Sequence, residues 1–171
     1  MFAKADIEKY FVAEKQESLW FLIIGIVAVS VAIVFFFILK TQFYRGAAIP
    51  LFLVGIILGT VGYTVNKRSD NDRISNVYAY DMDPSHLKQK ELPRMESVIK
   101  KFVVYRYVEI FLFLIGVALY IYFICDFNND LWRGFGLALA IMAVIALIGD
   151  HFAEKRAKHY TKGLKTFTEK F

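Results

Sequence analysis

At 171 residues, 57% apolar and 22% charged, the chain is too apolar for an ordinary soluble domain. Uncharged blocks of 16 to 21 residues argue against a soluble four-helix bundle, whose helices keep a polar face. A net charge of +5 is compatible with nucleic-acid binding, but no stacking platform or groove-reading motif accompanies it, and the lone Cys125 excludes an internal disulfide or thiolate zinc cluster.

The first segment carries Ala3, Ile7 and Tyr10 at helical spacing, a weak amphipathic stripe. Leu19 to Leu39 follows without a charge. It is too long for the apolar part of a signal peptide, has acidic residues before it, and lacks a small-x-small cleavage site after it. A short loop, Lys40 to Gly46, leads to the second uncharged block, Ala47 to Val65, with Pro50 expected in its first turn, where a missing N–H costs little. At about 1.5 Å per residue these two blocks cover roughly 28–32 Å, the thickness of a hydrocarbon core.

The helical pattern then breaks. Ser69-Asp70-Asn71-Asp72 reads as a helix stop, Asn76 to Tyr80 as a short docking strand or tethered loop, and Asp81-Met82-Asp83-Pro84-Ser85 as a second turn. Leu92, Met95, Ile99 and Phe102 restore a helical stripe, with Pro93 near the helix start. The third and fourth uncharged blocks, Ile110 to Cys125 and Gly134 to Gly149, reach only about 24 Å each, so polar flanking residues are drawn to the bilayer boundary. The loop between them, Asp126 to Arg133, is too short to fold alone. Beyond the fourth block, Ala153, Ala157, Tyr160, Leu164, Phe167 and Phe171 form a seam opposite a row of lysines.

The second half repeats the first. Ile7-x-Lys9-Tyr10-x-Val12-x4-Glu17-x3-Phe21-Leu22-Ile23 returns 92 residues later as Ile99-x-Lys101-Phe102-x-Val104-x4-Glu109-x3-Phe113-Leu114-Ile115. Phe43-Tyr44-Arg45-Gly46 returns 88 residues later as Leu131-Trp132-Arg133-Gly134, and Lys67-Arg68 as Lys155-Arg156. The expected fold is an all-α polytopic integral membrane protein. Four transmembrane helices, near 19–39, 47–65, 107–125 and 132–150, form two tandem duplicated hairpins with amphipathic cytoplasmic extensions. The expected units are 1–68, a linker 69–91, and 92–171. Two copies with an even number of spans share one orientation and are related by a pseudo-two-fold along the membrane normal. All but Lys40, Arg45 and Arg133 of the 21 basic residues flank the blocks on the side of the termini. The positive-inside rule therefore places both termini in the cytoplasm, in a bacterial inner membrane on the favoured reading.

Three groups of residues are candidates for function. Glu17, Arg106, Glu109, Asp150 and His151 form an ionisable set at the membrane edge, suited to proton or cation coordination, or simply to fixing helix depth. Gly55, Gly59 and Gly62, with Gly136, Ala140 and Ala143, are small-residue packing faces, within the chain or in a homodimer; Gly55 and Ala143 are duplicate positions, suggesting hairpin-to-hairpin contact. Tyr44, Arg45, Trp132 and Arg133 read as outer interfacial anchors. No catalytic constellation, phosphate loop or metal motif is present in the sequence, and no cofactor is expected. The expected partners are the lipid bilayer and a protein in or at the membrane. The leading reading is a non-enzymatic interaction protein of immunity type that neutralises a membrane-active, pore-forming toxin. The alternatives are a small ion or solute transporter or channel, and a scaffold that docks a cytoplasmic partner.

Overall fold

The structure, a computed structural model, describes residues 2–125 and 129–170. It is all-helical, with no strands among the described residues. The described residues form four long helices: α1 (Lys4–Leu39), α2 (Gln42–Met82), α3 (Pro84–Tyr122) and α4 (Asp130–Thr168). Each is long and apolar enough to cross a membrane. With 36 to 41 residues apiece, they extend about 54–62 Å, nearly twice the apolar thickness they contain.

Local chemistry sets the ends. Asp6 accepts a hydrogen bond from the Ala3 N–H at 2.8 Å, half of a capping box at the start of α1. At its far end α1 widens into a π-helical turn, Phe35–Leu39. Lys40 then takes a left-handed backbone, φ 56°, and Thr41 caps α2 by accepting from the Tyr44 N–H. The connection between α1 and α2 is therefore two residues, shorter than the Lys40–Gly46 loop expected. Because Thr41 starts α2 early, Pro50 lies inside the helix instead of in its first turn. There it cannot donate to the Gly46 carbonyl, four residues back.

The expected stop at Ser69–Asp72 and the strand or loop at Asn76–Tyr80 are both helix: α2 runs on to Met82. Polar residues that read as turn formers find partners on the helix side or on α1. Ser69 Oγ donates to the Phe11 carbonyl at 2.9 Å, Asp70 pairs with Lys15, and Asn76 donates to the Asp72 carbonyl at 2.8 Å. The turn at Asp81–Ser85 contracts to Asp83, whose carboxylate accepts from the His86 N–H, with Pro84 at the first position of α3. Pro93 thus lies well inside α3, two residues past a π-helical turn, Leu87–Glu91, whose wider ring gives room to the proline ring, which otherwise clashes with the carbonyl four residues back. Residues 69–91 are accordingly almost wholly helical. The expected Asp126–Arg133 loop falls mostly outside the described residues, and α4 opens at Asp130, an acidic residue suited to a helix N-terminus.

In the apolar region α2 and α4 are central, with α1 packed on α2 and α3 packed on α4. Both described termini and the α2–α3 turn lie at one end, held together by Phe2 against Tyr80 and Phe167, and by Tyr10 stacked on Tyr160 at 4.2 Å. This basic end has a core of its own. Ile7, Tyr10 and Phe11 of α1 meet Ala79 of α2, Leu87 and Met95 of α3, and Ala157, Tyr160 and Leu164 of α4. Leu92, Ile99, Phe102 and Phe167 pack around it, so the stripes at Leu92–Phe102 and Ala153–Phe167 face inward. Ala3 is exposed, and Phe11 takes the inward place its stripe left open. Burying each of the larger side chains stabilises this end by about 1.5–3 kcal/mol.

Candidate functional site

Glycines decide where the helices touch. A Cβ on Gly25 would meet Gly59 N at 2.5 Å, and one on Gly62 would meet Leu22 N at 2.5 Å and Ser18 O at 2.6 Å. The Gly55, Gly59 and Gly62 face therefore serves α1, inside the first hairpin. Gly136 and Ala140 serve α3, where a Cβ on Gly116 would meet Ala140 N and Gly136 O at 2.7 Å each. Other glycines serve contact between the hairpins: Gly149 lies against the Phe21 ring and Gly163 against the Phe2 ring, and at two more the opposing group is backbone. A Cβ on Gly46 would strike the Leu131 carbonyl, and one on Gly134 would strike the Phe43 carbonyl. These contacts are reciprocal, because Gly46 and Gly134, like Phe43 and Leu131, are 88 residues apart. The neighbouring anchors also join across: Arg133 lies over the Phe43 ring at 5.3 Å and pairs with Asp130 at 3.0 Å. Arg45 lies over Phe36 at 6.0 Å, Tyr44 packs on Phe35 at 4.8 Å, and Trp132 is exposed beside Phe135.

The ionisable set separates into two ties on either side of α4. On the α1 side Glu17 pairs with Arg156. On the α3 side the Glu109 and Asp150 side chains meet, and one helical turn nearer the basic end Arg106 pairs with buried Glu154, which also holds Lys158 at 2.6 Å. His151 is exposed and joins neither. Asp150 stands 88 residues after Gly62. Where Gly62 lets two backbones close, Asp150 places a carboxyl, and α3 and α4 are bridged there by side chains. Among the described residues no three His, Cys, Asp or Glu groups come together as a metal site.

A second polar cluster, unforeseen from the sequence, lies inside the basic-end core. Arg94 forks onto Glu91, Nε to Oε2 and Nη2 to Oε1, both at 2.7 Å, and Glu91 is only 4% exposed. The guanidinium carbon sits 5.8 Å from the centre of the Phe11 ring, and that of Arg156 sits 5.5 Å from the centre of Tyr10. Buried Glu14 accepts from Tyr10 Oη at 3.3 Å and faces Arg68 at 3.8 Å. Burial, then the charges of Glu14 and Glu91 respectively, push the Tyr10 and Tyr160 hydroxyls well above the usual tyrosine range. Burial pulls Arg94 down, but its hydrogen bond and charge contact with Glu91 outweigh this and keep it cationic. The sequence did hold a signal: Leu87, Glu91 and Met95 are four residues apart, so Glu91 belongs to the inward face.

No known protein family, curated protein or solved structure matches the chain. The geometry must therefore carry any functional reading.

Glu14 offers a direct check of the buried cluster. Burial raises its pKa above the ordinary 4.5, despite Arg68, Arg94 and Arg156 nearby. Below 4.5 the carboxyl is protonated in both folded and unfolded chains and contributes nothing; as pH rises through the folded value, the folded state carries the cost of a desolvated charge. Glu14→Gln keeps an acceptor for Tyr10 and removes that charge. Its melting temperature in mild detergent should exceed the parent's at pH 7–8, with the gap closing as pH falls toward the ordinary value of 4.5. A gap that persists unchanged in acid would show that something other than ionisation sets it.

Proposed function

We propose that the chain is an integral membrane protein of four spans, made of two duplicated hairpins in the same orientation, with both termini cytoplasmic in a bacterial inner membrane. The outward display of its apolar residues supports insertion: only 6% of the most apolar 18-residue stretch of α3 is buried, and no more than 39% of that of α4. Side chains such as Ile26, Phe37, Ile57 and Phe111 face outward, as a bilayer requires. The reciprocal contacts Gly46–Leu131 and Gly134–Phe43 support a pseudo-two-fold relation between the hairpins.

Within that setting the chain acts by contact and not by catalysis. Its concrete form is an immunity-type protein that occupies the helices of a membrane-active, pore-forming toxin. The observation that carries this reading is α3, which packs on α4 along one face, at Gly116, Glu109 and Arg106, and leaves its other face, with Phe111, Leu114 and Ile121, exposed for a partner helix. Expression in a sensitive host challenged with toxins encoded beside the gene should restore growth, and the toxin should co-purify. Absence of both protection and co-purification would remove the proposal.

The Glu109–Asp150 contact favours a second reading, a small transporter that moves a proton or cation past this carboxyl pair. It predicts proteoliposome flux that falls in Glu109→Gln and Asp150→Asn. Flux unaltered by both substitutions would eliminate it.

A further inference from the structure

Past its apolar block, α2 carries a row of large apolar side chains that stay mostly exposed, beside Lys4 and Glu8 of α1. Ile74, Tyr78 and Met82 are 63%, 64% and 69% exposed. Ile74 lies about 13 Å and Met82 about 26 Å beyond Val65, at 1.5 Å per residue. On the membrane-spanning reading, on which this inference rests, that places the row in water, where lipid does not cover it. The outward faces of the other helices differ here: α4 shows Lys155, Lys158, Lys162 and Lys165, and α3 shows Lys88, Lys90 and Lys100.

Ile74 and Tyr78, though not Met82, continue a longer pattern. Leu53, Thr60, Lys67 and Ile74 recur every seven residues, and Ile57, Thr64, Asn71 and Tyr78 interleave with them at the three-and-four spacing of a coiled-coil seam. All eight are exposed. A 3.5-residue repeat follows the line along which two helices supercoil, whereas packing on α1 uses another face of α2, through Gly55 and Gly62.

We propose that this seam pairs with the same seam of a second copy, α2 against α2, in a parallel two-stranded contact about a two-fold along the membrane normal. Two copies inserted in the same sense bring every seam residue against itself, so a self-pairing seam must be nearly free of charge. From Leu53 to Tyr78 it is, apart from Lys67; the next position of the repeat, Asp81, pairs with Lys4 of α1 at 2.7 Å and ends the seam. Lys67 stands two residues past the apolar block, where its long stem lets the ammonium leave the seam for the headgroups. Thr60 and Thr64 meet their own counterparts within the apolar block, and beyond it Asn71 meets Asn71, a polar pair of the kind that selects two strands and fixes register in parallel coiled coils. A differently charged partner would instead call for charges along the seam.

The test is disulfide trapping of the full chain in native membranes. Cys125 is exposed and is first changed by Cys125→Ser. Ile74→Cys and Tyr78→Cys are then introduced singly, with Lys162→Cys on α4 as the control. Self-paired seam positions fall within disulfide reach, so oxidation should give a dimer of two 19.8 kDa chains at both sites, at least about tenfold more than at the control. Exposed sites are used so that the fold is not disturbed. No dimer, equal dimer at Lys162→Cys, or a crosslink of another mass each overturns the pairing. Alkaline extraction of the same membranes separates the two readings. Protein that stays in the pellet without crosslinking refutes the pairing alone; protein released to the supernatant refutes membrane insertion and the pairing with it.

Discussion

Arg94→Met should lower folding stability by about 3 kcal/mol, the lower part of the range for breaking a buried ion pair. The lower part applies because the Arg94 side chain is 26% exposed while that of Glu91 is 4% exposed. Losing the arginine leaves the Glu91 carboxylate in the core with neither of its two short hydrogen bonds, beside Tyr160, Met95 and Leu87. The penalty belongs to the stranded partner more than to the lost attraction, and that makes the effect separable. Glu91→Leu combined with Arg94→Met removes both charges and should recover most of the loss, since apolar replacements of buried pairs are often neutral. Arg94→Lys should fall between, because an ammonium cannot reproduce the fork that reaches both carboxylate oxygens. Unfolding of the purified chain in mild detergent, titrated with a denaturing detergent and followed by helical circular dichroism, reads all three. A double variant no more stable than Arg94→Met would show that the cluster holds this end by a route other than the pair.

What the sequence disclosed and what it withheld follow from the range of the interactions involved. The apolar blocks and the stripes at Leu92–Phe102 and Ala153–Phe167 are written in local periodicity, and they pack as that periodicity requires. The course of α2 through Ser69–Asp72 is not local: Ser69 is satisfied by Phe11, 58 residues away, and Asp70 by Lys15, 55 residues away. Read alone, such residues favour turns, because nothing nearby tells which remote group will take their hydrogen bonds. Glu91 was hidden for a related reason. Lys88, Lys90 and Arg94 around it resemble a solvated run, and only the spacing from Leu87 to Met95 points it inward. For the edge set, the sequence placed Glu17, Glu109 and Asp150 at one level but did not reveal that α4, which carries Asp150, stands between Glu17 and Glu109. Small residues were recognisable as packing faces, yet which helix each face meets depends on three-dimensional pairing: Gly55 and Gly62 turned to α1, and backbone-to-backbone contact between the hairpins passed to Gly46 and Gly134.

Those two glycines carry the second large effect. Gly46→Ala and Gly134→Ala should each destabilise the chain by about 1–3 kcal/mol, the usual range for overpacking. A methyl at either position lands on a carbonyl of the opposing helix, Leu131 or Phe43, and a backbone carbonyl cannot rotate aside as the tip of a flexible side chain does. The helices must separate instead, and separation also releases Arg133 from the Phe43 ring. Gly59→Ala is the matched control. It lies in the same helix as Gly46, but a Cβ there meets nothing nearer than the Gly25 Cα at 4.0 Å. The same substitution should therefore be neutral or mildly stabilising, given the helix preference of alanine over glycine of up to about 1 kcal/mol. The double variant Gly46→Ala with Gly134→Ala tests the reciprocity of the contact. If one crossing of α2 and α4 serves both glycines, the first methyl already opens the gap that the second needs, so the combined loss should be clearly less than the sum. Full additivity in the same denaturing titration would mean two independent contacts, and would remove the main structural support for a two-fold relation between the hairpins.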